Sequence, residues 1–308
     1  MKIVFMGTPD FAAGILASIY ESKQHDIVAA VTQPDRPRGR SGDLVPSPVK
    51  VYAKEHGIDI LQPERIRAEE EIKKLSAIDA DIFVVAAFGQ ILPKEILDMP
   101  RFGCINVHAS LLPEYRGAAP IQWAIYDGKE VTGVTIQQMN EGVDTGDIIS
   151  VREVAIAPDE TGATLFDKLM VAGEELILTT LTSIEEGRAE ARPQDETKAT
   201  YAKILKKEMG LIDFGRDAAA IERMIRAFTP WPGGYTYLKG KMFKIKECRV
   251  CQGSGNCGEI IEVGKDHISV ACGKDALMIG RVQLEGKKEM KTGDFLLGNR
   301  IETGMRLG

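Results

Sequence analysis

The chain has 308 residues, 44% of them hydrophobic, which is enough to bury a full core and long enough for two domains. No apolar run approaches the roughly 20 residues of a membrane span, and the opening MKIVFMGTPDF has neither the apolar length nor the small-residue site of a cleaved leader, so a cytoplasmic protein is expected. The formal charge of −6 hides a split: residues 1–200 hold 20 Lys and Arg against 32 Asp and Glu, a net of −12, and residues 201–308 hold 19 against 13, a net of +6. Either the C-terminal part meets a polyanion or two ordinary surfaces are unevenly decorated.

In chain order, residues 2–6 read as a short apolar strand, Gly7-Thr8-Pro9 as a turn, residues 11–20 as a helix and residues 26–32 as a second strand. A doubly wound α/β domain begins this way. It is not a dinucleotide fingerprint, because Gly7 and Gly14 lack the G-x-G-x-x-G spacing, and no G-x-x-x-x-G-K-[ST] occurs, so nucleotide phosphate binding has no support. Residues 33–48, QPDRPRGRSGDLVPSP, have too few apolar residues to pack and form an exposed loop longer than ordinary connections. Its Arg36, Arg38 and Arg40 suit phosphate, since guanidinium forks match oxyanions.

Helices are expected at residues 50–56 and 64–76, then a buried parallel strand at 81–87, DIFVVAA, closed by Phe88-Gly89-Gln90-Ile91-Leu92-Pro93. Residues 103–117, GCINVHASLLPEYRG, are the stretch on which the chemistry centres. Its first half alternates, so Asn106 and His108 project to one face, and Pro113 ends the strand because it has no N–H for a ladder. The pair then lies at a carboxyl-end strand tip, where open α/β sheets bind ligands. Alone, such a pair is also read as a turn asparagine and a core histidine.

A helix follows at 119–126 and a strand at 131–139, and then the loop Asn140 to Asp147, NEGVDTGD, sets Glu141, Asp144 and Asp147 among two glycines. A loop so charged is either solvated or aims a carboxylate inward. Residues 148–156 read as a strand and 161–186 as a long helix with Thr161 as its cap. Residues 187–207 are polar and charged like a linker. Beyond a helix at 217–228 and the Thr229-Pro230-Trp231-Pro232-Gly233-Gly234 run come four short strand-like runs near 235, 258, 267 and 277, which suggest a small five-stranded barrel of a kind that binds nucleic acid. Five cysteines, an odd number, argue against a disulfide scaffold. Cys248-x-x-Cys251 with Cys257 and Cys272 has the outline of a zinc site, but no second CxxC follows and apolar packing is the preferred reading.

INVHASLLPEYRGAAP at residues 105–120, followed about thirty residues later by DTGD, resembles the folate-dependent formyltransferases. QPDRPRGR and AFTPWPGGY are similar to segments of the branch that formylates tRNA, and the resemblance covers essentially the whole chain. The chain departs from that branch at Ser41-Gly42-Asp43, where lysines are frequent.

The resemblance implies a Rossmann-like formyltransferase domain with a doubly wound, mostly parallel sheet at residues 1–189, a linker at 190–207, and an OB-like β-barrel at 208–308 that binds tRNA. It implies Asn106, His108 and Asp144 as the catalytic trio, and Phe88, Gly89, Gln90, Ser110, Leu111, Leu112 and Pro113 as the folate pocket. Arg36, Arg38 and Arg40 would lie in a loop that reaches the tRNA acceptor stem. The implied reaction moves the formyl group of 10-formyltetrahydrofolate to the α-amine of methionine on initiator methionyl-tRNA, for translation initiation, in a monomer and without a metal. Asn106 and a protonated His108 would donate to the oxygen that gains charge, while Asp144 orients the imidazole and relays the amine's proton. An α-amine titrates near 8, so modest base help is enough.

Overall fold

The computed structural model describes residues 1–37 and 42–308, and the chain divides into two compact units. The first comprises Met1–Pro120, Val131–Ala155 and Phe166–Ala202, the second Ile121–Glu130, Ile156–Leu165 and Lys203–Gly308. In chain order the elements to the end of the first sheet are β1 (Lys2–Gly7), α1 (Asp10–Ser22), β2 (Asp26–Val31), the short β3 (Arg36–Pro37) and β4 (Leu44–Val45), α2 (Pro48–Glu55), β5 (Ile60–Leu61), α3 (Glu69–Ser76), β6 (Ile82–Ala86), α4 (Lys94–Leu97), β7 (Cys104–His108), β8 (Arg116–Gly117), α5 (Pro120–Tyr126), β9 (Val131–Gln138) and β10 (Ile148–Ala155). Then follow α6 (Gly162–Glu185), β11 (Tyr201–Ala202), α7 (Ala218–Ala227), β12 (Gly234–Leu238), β13 (Lys241–Cys251), β14 (Ile260–Val263), β15 (Ile268–Ala271), β16 (Ala276–Leu284), β17 (Met290–Lys291) and α8 (Thr292–Gly298).

The first unit is built on a seven-stranded sheet in the order β10-β9-β7-β6-β1-β2-β5, parallel from β7 to β5 and antiparallel at β9 and β10. Strands β1 and β6 are apolar runs buried along nearly their whole length, as central strands covered on both faces must be. From β1 the chain winds outward to β2 and β5, then returns on the other side through β6 and β7. The reversal opens a crevice at the carboxyl ends of β1 and β6, the usual ligand position of an open α/β sheet. There the Thr8 hydroxyl donates to the Phe88 carbonyl at 3.1 Å.

The helix expected from residue 64 begins only at Glu69. The Gln90 side chain occupies the preceding backbone: its Oε1 accepts from the Ile66 N–H at 2.7 Å and its Nε2 donates to the Pro63 carbonyl at 3.0 Å. An N–H held by a side chain is lost to a helical ladder.

The second unit holds an antiparallel sheet in the order β12-β13-β16-β15-β14, with β17 paired to β16. Among the described residues β12 and β14 do not pair, so the expected five-stranded barrel is not closed by strand pairing. Its longest strand, β13, spans KMFKIKECRVC and contains Cys248, as the alternation of that run indicates; lysines alternate with its apolar residues, and only Phe243 and Ile245 are fully buried. Phe243 packs on Phe295 of α8 with ring centroids 5.3 Å apart. The run near 258 is a turn, and its strand starts at Ile260. No helix among the described residues is long and apolar enough to cross a membrane.

Candidate active site

Strand β7 is buried over all five residues, and its antiparallel pairing with β9 sets Asn106 opposite Gln137 and His108 opposite Thr135. Side chains of directly paired residues stand on one face. Both amides therefore reach the same carboxylate, that of Asp144 in the loop after β9. Gln137 Nε2 donates to Asp144 Oδ1 at 3.0 Å and Asn106 Nδ2 to the same oxygen at 3.4 Å, while the Gly117 backbone N–H donates to Oδ2 at 2.8 Å. The His108 Nδ1 faces Oδ1 from 3.6 Å, beyond direct hydrogen-bond reach.

The other imidazole nitrogen fixes the tautomer. His108 Nε2 lies 2.9 Å from the Tyr115 carbonyl oxygen, which can only accept, so Nε2 carries a hydrogen. Nδ1 is then the nitrogen left to exchange a proton. Tyr115 sits in the left-handed region at φ 60, an uncommon conformation for a side chain of that size. Below the ring, Thr135 Oγ1 donates to the Ser110 carbonyl at 2.7 Å and accepts from the Leu112 N–H at 3.1 Å, which pins the chain as it leaves β7.

The trio is thus brought together: Asn106 and His108 are 9% and 6% exposed, and of the three loop carboxylates only Asp144 turns inward, with Glu141 and Asp147 exposed. The turn is a tight one. Asp144 is itself left-handed at φ 53, and a Cβ on Gly146 would collide with the Gln138 carbonyl, so only glycine passes there. Gln137 Oε1 accepts from the Gly146 N–H at 3.0 Å, so this one buried amide holds both the carboxylate and the loop. The sequence gives no signal for Gln137, because its burial and its reach to Asp144 both come from the pairing of β7 with β9.

The residues assigned to a folate pocket are used in different ways. Phe88 is buried and its carbonyl accepts from Thr8 and from Gln33 Nε2 at 3.1 Å each. Gly89 is exposed at φ 85 and follows Ala87, itself at φ 44, so the backbone at this strand tip is sharply turned with its groups near solvent. Gln90 spends its amide on residues 63–66, as described above. Ser110 Oγ donates to the Glu114 carbonyl at 2.6 Å, Leu111 packs against Gly133, and Leu112 is buried. Pro113 is half-buried, and its carbonyl accepts from the Thr200 N–H at 3.3 Å.

Arg36 is exposed on the β3–β4 pair. Its neighbour Asp35 anchors the base of that loop: the Lys50 ammonium at 2.7 Å holds the carboxyl below its usual range, helped by Gln62 Nε2 at 2.8 Å. Arg38 and Arg40 lie outside the described residues. All five cysteines are free thiols, and no group of three or more His, Cys, Asp or Glu side chains among the described residues is arranged to hold a metal.

Comparison with known proteins extends this geometry. Residues 1–181 match the family described as formyl transferase, and residues 204–300 match the formyl transferase C-terminal domain. The methionyl-tRNA formyltransferase of Lachnospira eligens is 51% identical with both chains covered completely, and that of Agathobacter rectalis is 52% identical over 99% of this chain and 98% of that one. Among solved structures, the sugar 3N-formyl transferase WlaRD, crystallised with dTDP and 5-N-formyl-THF, aligns at a TM-score of 0.68 with 20% identity, covering 94% of this chain and 99% of that one. HypX from Aquifex aeolicus in complex with tetrahydrofolic acid aligns at 0.64 with 17% identity, covering 97% and 47%. These likenesses carry the fold. The family models make the chain a formyl transferase, and its full-length relatives, about half identical to it, show that it belongs to the methionyl-tRNA formyltransferase family.

Proposed function

We propose that the protein transfers the formyl group of 10-formyltetrahydrofolate to the α-amine of methionine on initiator methionyl-tRNA, for translation initiation. The observation that carries this reading is the convergence of Asn106, His108 and Asp144 at the carboxyl tip of β7, in a chain about half identical to methionyl-tRNA formyltransferases along its full length. The folate supplies an activated formyl group, and the chain's own residues supply orientation and proton transfer. Among the described residues the only side-chain bond of Asn106 is the long one to Asp144, which leaves amide donor capacity for an oxygen that gains negative charge. His108 Nδ1 is the nitrogen positioned to move a proton, and Asp144 keeps the ring facing the reacting amine. The sharply turned backbone at residues 87–89 and the 110–113 turn flank this tip and would hold the folate.

The net +6 of residues 201–308 supports tRNA binding by the C-terminal part, with the antiparallel sheet there acting as an OB-like module. Arg36, Arg38 and Arg40 would position the acceptor end. On this reading residues 1–189 catalyse, 208–308 grip tRNA, and the enzyme is a cytoplasmic monomer. The test is formyl transfer from 10-formyltetrahydrofolate to charged initiator tRNA, with free methionine as the control. Equal rates on both acceptors, or no transfer to the charged tRNA, would refute it.

A further inference from the structure

Residues 190–207 look like a linker in sequence, yet part of the stretch runs along both loops of the site. Arg192 pairs with Ile148, the Thr200 Oγ1 accepts from the Tyr115 N–H at 2.8 Å, and Tyr201–Ala202 forms a parallel pair with Arg116–Gly117. Between these points Gln194 Nε2 donates to the carbonyls of Asp144, at 2.9 Å, and Gly146, at 2.6 Å.

Arg116 orients that amide. It is 1% exposed, and a buried guanidinium is tolerated only when its N–H groups are satisfied. Its Nε and Nη2 both donate to Gln194 Oε1, at 3.1 and 2.7 Å, and its Nη1 and Nη2 form a fork on the Glu196 carboxylate at 2.9 and 2.7 Å. With Oε1 fixed on a cation, Gln194 must present its NH2 to the two carbonyls. A flipped amide would set oxygen against oxygen there.

We infer that Arg116 and Gln194 are positioning residues for the transfer, holding Asp144 in its left-handed conformation so that its carboxylate stays between Asn106, Gln137 and the His108 ring. The inference rests on the role proposed above for Asp144. A left-handed non-glycine residue persists only where its surroundings over-determine it. Here the side chain is held by Gln137 and Gly117 and the main chain by Gln194, so releasing the main chain removes one of the two restraints that together place the carboxylate.

The decisive variant is Gln194→Glu, which keeps an acceptor for Arg116 but replaces the one NH2 that serves both carbonyls with an oxygen facing them. Gln194→Met, which removes the donors without adding charge, covers a folding defect in the first. Expected in each folded variant is a kcat about 10²-fold lower, the scale of a 1 Å misplacement, with KM for both substrates within about threefold. Selectively labelled His108, one of four histidines, should show a shifted imidazole resonance in the free protein. Asp144→Asn run alongside separates the two ideas. If Asp144→Asn is inactive while a folded Gln194 variant keeps kcat within threefold and an unmoved His108 resonance, the positioning role is overturned. If Asp144→Asn is itself fully active, the proposed role of Asp144 fails first.

Discussion

The Gly117 backbone N–H reaches Asp144 Oδ2 at 2.8 Å, so a main-chain donor 27 residues away fixes the carboxylate that faces His108. Gly117 adopts φ 109, and a Cβ there would sit 2.8 Å from the Ala202 carbonyl. Gly117→Ala is therefore expected to destabilise the protein by about 1–3 kcal/mol through backbone strain alone, and to lower kcat as the donor shifts. Urea denaturation beside transfer kinetics reads both. A variant with unchanged midpoint and rate would show that the close approach is relaxed at no cost.

Asn106→Ala and His108→Ala are expected to lose about 10²-fold or more in kcat, the scale of one removed donor at a developing charge. Asp144→Asn should match them and also cost roughly 1–3 kcal/mol of stability, since either amide orientation sets an NH2 against a donor, Gln137 and Asn106 on one side or Gly117 on the other. Near-normal turnover of His108→Ala with both substrates saturating would contradict the proton-transfer role.

His25 supplies a pH dependence remote from the site. Its side chain is 1% exposed, and burial, followed by the nearby Met1 amine, pushes its pKa below the ordinary value, outweighing Glu185 at 3.7 Å, which acts in the opposite sense. The folded state therefore resists protonating His25: the stability this group contributes is complete above about pH 6.5 and is lost as pH falls through the lower folded value. Melting temperature should drop between pH 7 and 5, and the slope should flatten in His25→Gln. An identical slope in that variant would assign the acid sensitivity to other groups.

Burial pushes the thiols of Cys104 and Cys272 up to about 12. At pH 8 their thiolate fraction is about 10⁻⁴, so iodoacetamide should leave both unmodified in the native protein and label both in urea, as read by mass spectrometry. Prolonged chelation should leave activity and Tm unchanged. Stoichiometric zinc in untagged protein would instead revive the metal reading of Cys248, Cys251, Cys257 and Cys272.

Phosphate contacts from the basic C-terminal part should appear in the salt dependence of tRNA binding. The exposed Lys203, Lys206 and Lys207 are the residues to reverse, because cutting the chain at 206 would also strip residues 121–130 and 156–165 of the unit they belong to. Each lost phosphate contact should lower the slope of log K against log salt by up to about 0.9. Gel-shift titrations at several salt concentrations measure it. An unchanged slope in the triple Glu variant would make the charge split a matter of surface decoration.

What the sequence determined by itself is local. Apolar runs such as IFVVA specify central strands, the alternation of CINVH puts Asn106 and His108 on one face, and the glycines around Asp144 require a tight turn, all because side-chain period and backbone sterics act within a few residues. Tertiary structure decided everything that depends on pairing between distant segments. The register of β7 against β9 brings Gln137 to Asp144, the Tyr115 carbonyl leaves Nδ1 as the free nitrogen of His108, and a polar stretch at 192–202 becomes a brace because a buried arginine needs partners. Nothing in PQDET separates it from a solvated linker: its amide and carboxylate suit water as well as they suit Arg116, and only the folded chain supplies the guanidinium that claims them.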